Sequence, residues 1–320
     1  MLKTGTDFAG PITLKKGHTR KPVYVKGYIC LFVWFSTRAV HLELVADLST
    51  DAFLAAFRRF VARRGCPCEL FSDNGSNYVG ANHESTRLYE MLSEESNHKL
   101  LCHFFFFTNC KIRWSFMPGK APHFGGLWEA AVKAAKATLR KVIGNYPLSV
   151  EECATVLTDA EATLNSRPLC QMDTQPEDGV DALTPGHFLV GKPLRAVPQH
   201  ATEYSSVTGL KRWNLCKKMC AEFWERWSRE YLQALQARHK WSRNCRNLRV
   251  GEVVLLKDLE VFMRTRPLAI IQQTHPGPDG RVRAVTVRAS KGVYRRPIVK
   301  IVPLLSTNEV SSRPGEDVQA

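Results

Sequence analysis

Apolar and polar positions along the first 45 residues fall into three extended runs. Residues 2–14 read as a strand carrying Asp7 in its interior and interrupted by Gly10-Pro11. Gly17-His18-Thr19-Arg20 is a turn. Tyr24–Phe35 is apolar almost without a break, as expected of a strand covered on both faces, and Ala39–Leu44 is a third. Short connections make this an antiparallel meander. The period then changes. Ala52, Phe53, Ala56, Phe57 and Phe60 repeat at helical spacing within Asp51–Arg64, with Thr50 or Ser49 as N-cap. Glu69–Ser72 is a short strand ending at Asp73-Asn74-Gly75. A loop and helix span Tyr78 to about Glu95, and Lys111–Phe116 is a further strand. Residues 96–108 fit either period. After the Pro118–Gly126 loop, Ala130, Ala131, Ala134, Ala135 and Ala137 make a helix-forming run in which Glu129 occupies the first turns. Another helix covers Val150–Asn165 and stops at Arg167-Pro168. The order of three strands, helix, strand, helix, strand and further helices predicts an α/β architecture, a mixed sheet flanked by helices.

The second half has a different texture. Met172–Gly179 is rich in Pro and Asp and reads as a linker, Leu183–Pro193 as irregular, and 196–209 as polar and flexible. Lys211–Arg238 is a long helix whose Trp224, Trp227 and Tyr231 form a packing stripe. Five short runs follow, Val250–Leu256, Leu268–Gln273, Val282–Arg288, Val293–Arg296 and Val299–Val302, separated by turns such as Pro276–Gly280. Their spacing predicts a small β-barrel. The expected division is a core over 1–170, a linker over 171–209, a helical connector over 210–245, a basic barrel over 246–305 and a disordered tail over 306–320. No internal repeat is visible.

Charge sharpens this picture. The 320 residues carry a net +15, with a pI near 9.5, which points to an anionic partner. Arg238–Lys300 alone holds 15 Lys and Arg against 4 Asp and Glu. The ten cysteines are not arranged with histidines at zinc-binding spacing. No secretory signal is evident at the start, and the longest apolar block, Tyr28–Phe35, is too short to span a bilayer. No membrane partner is expected.

Three carboxylates stand out against this pattern. Asp7 lies in a strand, Asp73 at a strand's C-terminal end, where a sheet presents residues to ligands, and Glu129 at a helix start. Carboxylates so placed suit Mg²⁺ or Mn²⁺, and a pair of such ions serves in-line phosphoryl displacement. Lys133, Lys136 and Arg140 follow Glu129 on one helix face and offer a strip for a phosphate backbone. Taken singly, Asp73-Asn74-Gly75 is an ordinary turn and the Glu129–Arg140 face an ordinary solvated strip with i,i+4 pairs.

The longer motifs carry a family resemblance. Ser72-Asp73-Asn74-Gly75-Ser76-Asn77-Tyr78, Pro122-x-x-x-Gly126-x-x-Glu129 and Thr6-Asp7-Phe8-Ala9-Gly10-Pro11 resemble the three acid-bearing segments of retroviral and retrotransposon integrases. Further segments narrow the likeness to BEL/Pao-type LTR retrotransposons: Lys26–Val33, Ala39–Val45, Arg58–Gly65, Leu164–Leu169, Leu183–Leu189, Trp224–Leu232 and Val285–Arg288 through Arg296-Pro297. The resemblance implies an RNase H-like five-stranded core with Asp7, Asp73 and Glu129 as the catalytic, metal-holding triad. It implies a helical connector, a small SH3-like β-barrel, and two Mg²⁺ or Mn²⁺ ions. The implied activity is 3′-end processing and strand transfer of element DNA into host double-stranded DNA, by a homo-oligomer in the nucleus. Lys133 and Lys136 fall where that family contacts DNA. Asn77, Lys120, His123, Arg140, Arg295, Arg296 and Lys300 are further DNA-binding candidates. The upstream zinc-binding domain of such integrases is not in this chain, so a fragment, a truncated gene model or a domesticated copy is expected, with no zinc. Two other functions compete: a non-catalytic DNA- or chromatin-binding protein, and a nuclease acting on RNA–DNA hybrids.

Overall fold

The computed structural model describes residues 3–16, 22–93, 112–116, 126–144, 146–172, 182–194, 211–235, 247–256, 268–277, 280–290 and 292–304. They divide into two compact units, one drawn from Met1–Leu164 and Tyr204–Phe223, the other from Asn165–Glu203 and Trp224–Ala320.

The first unit contains β1 (Lys3–Lys16), β2 (Val23–Trp34), β3 (Val40–Val45), α1 (Thr50–Arg64), β4 (Glu69–Ser72), α2 (Ser76–Ser93), β5 (Arg113–Phe116), α3 (Gly126–Ile143), β6 (Leu148–Ser149) and α4 (Val150–Asn165). Its sheet runs β3-β2-β1-β4-β5, with β6 paired to β1. The first three strands are antiparallel, whereas β4 and β5 run parallel to β1. The sheet is therefore mixed, as expected, with one short strand more than the five anticipated. Gly10-Pro11 does not end β1; the register shifts between Ala9 and Ile12 and pairing with β2 resumes.

Strand alternation divides the core between two faces. Phe32 stacks on Phe60 with ring centroids 4.3 Å apart and also meets Phe53 and Phe57, so α1 covers that face of β2. Phe8, paired with Cys30, lies on the same face and packs against Phe53 and Tyr78. Asp7 is paired with Leu31 and therefore projects to the opposite face, where Lys136 of α3 reaches it. Ile29 through Trp34 are all buried because helices cover both sides. Each of the fully buried Phe32, Phe53 and Phe60 contributes roughly 1.5–3 kcal/mol through burial. Ser49 is the N-cap of α1: its hydroxyl accepts from the Ala52 N–H at 3.2 Å.

The second unit holds β7 (Cys170–Gln171), β8 (Ala182–Leu183), α5 (Pro185–Val190), β9 (Val253–Leu256), β10 (Leu268–Pro276), β11 (Val282–Ala289), β12 (Gly292–Pro297) and β13 (Ile301–Pro303). The helix α6 (Lys211–Leu235) is divided between the units at Phe223. The five strands form a sheet in the order β12-β11-β10-β9-β13. Of the expected barrel the described residues show a five-stranded sheet whose pairing ends at β12 and β13, without closure. Two apolar clusters explain how an open sheet is stabilised. Val254, Leu256, Ala269, Ile271, Val285 and Val287 fill one face, whereas Val253, Leu255, Val302 and Leu304 pack with Ala182 on the other. Leu183–Pro193, read from sequence as irregular, contains the end of β8 and the whole of α5. Pro185 starts that helix, and His187 Nδ1 accepts from the Thr184 N–H at 3.0 Å.

Among the described residues no helix is long and apolar enough to cross a membrane.

Candidate metal centre

The site begins at the junction of β1 and β4. These strands are parallel and in register at Lys3↔Glu69, Thr4↔Leu70 and Gly5↔Phe71. Two residues beyond the last pair stand Asp7 on β1 and Asp73 just past β4. The register thus brings the two acids level on neighbouring strands, at the C-terminal end of β4, although 66 residues separate them in sequence. Both lie near the Tyr78 side chain. Burial pushes the Tyr78 hydroxyl well above its usual value, with further upward contributions from Cys30, Asp7 and Asp73.

The loop after β4 is tightly built. Asp73 Oδ1 accepts from the Gly75 N–H at 3.0 Å, and the Gly75 carbonyl accepts from the N–H groups of Tyr78 and Val79, opening α2. A Cβ on Gly75 would stand 2.6 Å from Asn77 Oδ1 and 3.1 Å from Asp73 Oδ1. A side chain at this position would have to displace the Asn77 amide. Tyr78, 2% exposed, packs edge-on against Phe53 at 4.9 Å and against Phe8, the neighbour of Asp7, at 5.6 Å. The Trp114 indole N–H donates to Ser72 Oγ at 3.0 Å, holding the residue before Asp73. The Asp-Asn-Gly segment is therefore the ordinary turn its composition suggests, and it also fixes a carboxylate at the C-terminal end of β4.

Asp7 Oδ1 accepts from the Phe8 N–H at 2.7 Å, and Oδ2 is ion-paired with Lys136. The helix α3 thus crosses above β1. Glu129 lies within the first turns of α3 and seven residues before Lys136, on the same helix face and about 10 Å along the axis. The side chains of Glu129 and Lys133 lie outside the described ones, as do residues Lys120 and His123. Among the described residues no group of three or more His, Cys, Asp or Glu side chains is gathered closely enough to hold a metal; the triad's third member is outside that set.

The remaining candidates are distributed unevenly. Arg140 is exposed in the last turn of α3. Asn77 is only 8% exposed, and its amide nitrogen is buried. Arg295 pairs with Thr286 and Arg296 with Val285, so alternation sends these two neighbours to opposite faces of the sheet. Arg296 lies over the Tyr294 ring, 5.2 Å from its centroid. Lys300 is exposed in the 3₁₀ turn Ile298–Lys300. Arg288 is a further exposed cation on this sheet. It pairs with Val293 on β12, shares the parity of Arg295 and is exposed, a placement that follows from the two-residue period once the β11–β12 register is known.

The sequence also left unread a second carboxylate cluster in the same unit. Glu43 of β3 is bonded by Arg59 and Arg63 of α1, each at 2.6 Å, and by His41 at 3.0 Å. Glu161 of α4 pairs with Arg64 at 2.6 Å and with His41 Nδ1 at 3.0 Å, and accepts from the Leu42 N–H at 2.9 Å. Burial acts to lower the His41 pKa, but the carboxylates of Glu161 and Glu43 outweigh it and raise the net value.

Comparison with known proteins adds a partial family match. Residues 211–304 match a family of unknown function (DUF5641). Among curated proteins none matches the chain. Among solved structures, one from the simian T-cell lymphotropic virus intasome in complex with PP2A regulatory subunit B56 gamma is 12% identical. The match covers 95% of this chain and 79% of that one, with a TM-score of 0.35. The HTLV-2 integrase catalytic core domain in complex with magnesium is 15% identical, over 58% of this chain and 95% of that one, with a TM-score of 0.32. The BIV integrase catalytic core domain is 16% identical, over 59% and 93%, with a TM-score of 0.33. Scores this low carry no argument, and function is inferred from the chain's own residues.

Proposed function

We propose that the chain is a metal-dependent polynucleotidyl transferase of the integrase type, akin to BEL/Pao retrotransposon integrases, acting on double-stranded DNA. One observation carries the reading. Asp7 and Asp73, distant in sequence, are level on adjacent parallel strands, and α3, the helix bearing Glu129, crosses at Asp7.

The donor chemistry fits a divalent ion. Asp7 already holds a cation, the Lys136 ammonium, on Oδ2, and the loop closed by the Gly75 N–H sets Asp73 level with it at the end of β4. Oxygen donors of this kind suit Mg²⁺ or Mn²⁺, which would polarise the phosphate and lower the pKa of a bound nucleophile. Asp7, Asp73 and Glu129 would hold it. The rest of the chemistry is positioning. Strand β1 keeps Asp7 fixed through its pairing on both edges, and Tyr78 and Trp114 hold the Asp73 loop. The α3 basic strip of Lys133, Lys136 and Arg140 would bind the DNA backbone, with Arg288, Arg295, Arg296 and Lys300 of the second unit adding electrostatic affinity. Assembly as a homo-oligomer and action in the nucleus complete the proposal.

The test is strand transfer on element-end DNA with Mn²⁺, comparing wild type with Asp7→Asn, Asp73→Asn and Glu129→Gln. Each substitution is expected to reduce turnover by at least about 100-fold. Undiminished transfer by any one of them removes that residue from the site.

A further inference from the structure

We propose that Lys136 is a tethered stand-in cation whose release from Asp7 is coupled to entry of a divalent ion. This rests on the metal-centre reading above and adds a residue that regulates the site's occupancy.

The argument starts from Asp7. Its two oxygens are both engaged within the chain: Oδ1 by the Phe8 N–H at 2.7 Å, Oδ2 by the Lys136 ammonium. The Phe8 bond is local and leaves a lone pair on Oδ1. The ammonium is different, because it brings a positive charge onto Oδ2. A divalent ion bound through Oδ2 would meet that charge at contact distance, so both cannot stay.

The geometry allows Lys136 to leave cheaply. The Asp7 side chain is 33% exposed and the Lys136 side chain 21% exposed, so each retains access to water. The residue stands on an α3 face whose flanking Ala135, Thr138 and Leu139 are buried, which fixes the backbone while the four-carbon stem can swing. The contrast with the Arg59–Glu43 and Arg64–Glu161 pairs is direct. There the guanidinium forks are joined by backbone and histidine bonds, whereas among the described residues Asp7 has one ammonium and the adjacent Phe8 N–H. An ammonium displaced from Asp7 remains beside the site, where a phosphate oxygen is its natural next partner. Metal entry would therefore precede and enable the Lys136 contact with DNA.

The experiment measures Mn²⁺ affinity of the whole chain by titration calorimetry, without DNA, for wild type, Lys136→Gln, Lys136→Arg and Asp7→Asn. Lys136→Gln is expected to bind about fivefold more tightly than wild type, the upper range for a partly exposed ion pair. Lys136→Arg, which keeps the charge, is expected to match wild type. Amine-selective labelling of Lys136 in the unmodified chain gives a second readout, expected to rise as Mn²⁺ is added. Equal Mn²⁺ affinity in wild type and Lys136→Gln, or labelling unmoved by saturating metal, would overturn the coupling and leave the metal centre standing. Absence of Mn²⁺ uptake by wild type would overturn the metal centre itself, and the coupling with it.

Discussion

Two sets of carboxylates lie in the first unit, and they are treated in opposite ways. Glu43 and Glu161 are buried beneath three arginines and a histidine, and a backbone N–H also points at Glu161. Asp7, half-buried, and Asp73, exposed, stand at the end of a parallel strand pair, and among the described residues Lys136 is the cation that pairs with Asp7. The first set spends its charge inside the fold. It ties β3 to α1 and α4, and every negative charge there has a fixed cation. The second set holds its charge more loosely: Asp7 pairs with one lysine that stays within reach of water, and Asp73 is exposed. Two like charges held level on neighbouring strands repel, and a fold gains nothing by placing them so unless a cation is to be held there.

The comparison is tested most severely by removing Glu161. Its loss strands Arg64, the Nδ1 side of His41 and the Leu42 N–H together in the interior. Breaking a buried network from one side typically costs about 3–5 kcal/mol. Glu161→Ala is expected to lower unfolding free energy by about 3 kcal/mol, measured by denaturant titration, while metal affinity of the folded fraction stays unchanged. A loss below about 1 kcal/mol would show that the network is not the fixed structural element described.

A smaller effect is expected from pH. The folded-state pKa of His41 is raised above its ordinary 6.5 because Glu161 and Glu43 outweigh burial. Its contribution is therefore fully present below about 6.5 and is lost as pH rises through the higher folded value. Burial acts to raise the Glu43 carboxyl, but His41 and Arg59 lower it below its ordinary 4.5, so its contribution is present above 4.5 and lost as pH falls through the folded value. Stability from this cluster should be greatest between these limits. Denaturant midpoints followed upward from pH 6 should fall in wild type and stay flatter in His41→Gln. Parallel slopes in the two proteins would mean that His41 does not titrate with folding.

Much of this was legible in the sequence, and the remainder was not for identifiable reasons. The helical period of Phe53, Phe57 and Phe60 and the unbroken apolar run of β2 located their elements because each pattern is local. The acids at 7 and 73 were visible through their motifs. Their juxtaposition needed the β1–β4 register, a long-range fact that no window contains. Glu161 gave no signal: its partner at Leu42 is 119 residues away and nothing near Val150–Asn165 marks a buried carboxylate. The segments β7, β8 and α5 were passed over because two-residue strands and a six-residue helix are too short to show a period. The barrel was expected because short strands at close spacing suit either a closed or an open sheet. The choice depends on β12 and β13, which are both edges here.

The smallest effect on stability, and the one that separates the two carboxylate sets most cleanly, is expected at Asp73. Asparagine there retains Oδ1 as an acceptor for the Gly75 N–H, so the turn that opens α2 survives. It also removes one of the two charges standing level at the strand ends. Asp73→Asn should therefore leave the unfolding free energy within about 0.5 kcal/mol of wild type, with any change tending toward stabilisation. Binding of Mn²⁺ to the native state raises stability by RT ln(1 + L/Kd), with L the free ion concentration, so it grows with the logarithm of that concentration once it exceeds Kd. Wild type should gain from added Mn²⁺, and Asp73→Asn should gain far less. If instead Asp73→Asn costs as much as Glu161→Ala, Asp73 belongs with the structural carboxylates, and the distinction between tightly and loosely held charge fails at the residue it most depends on.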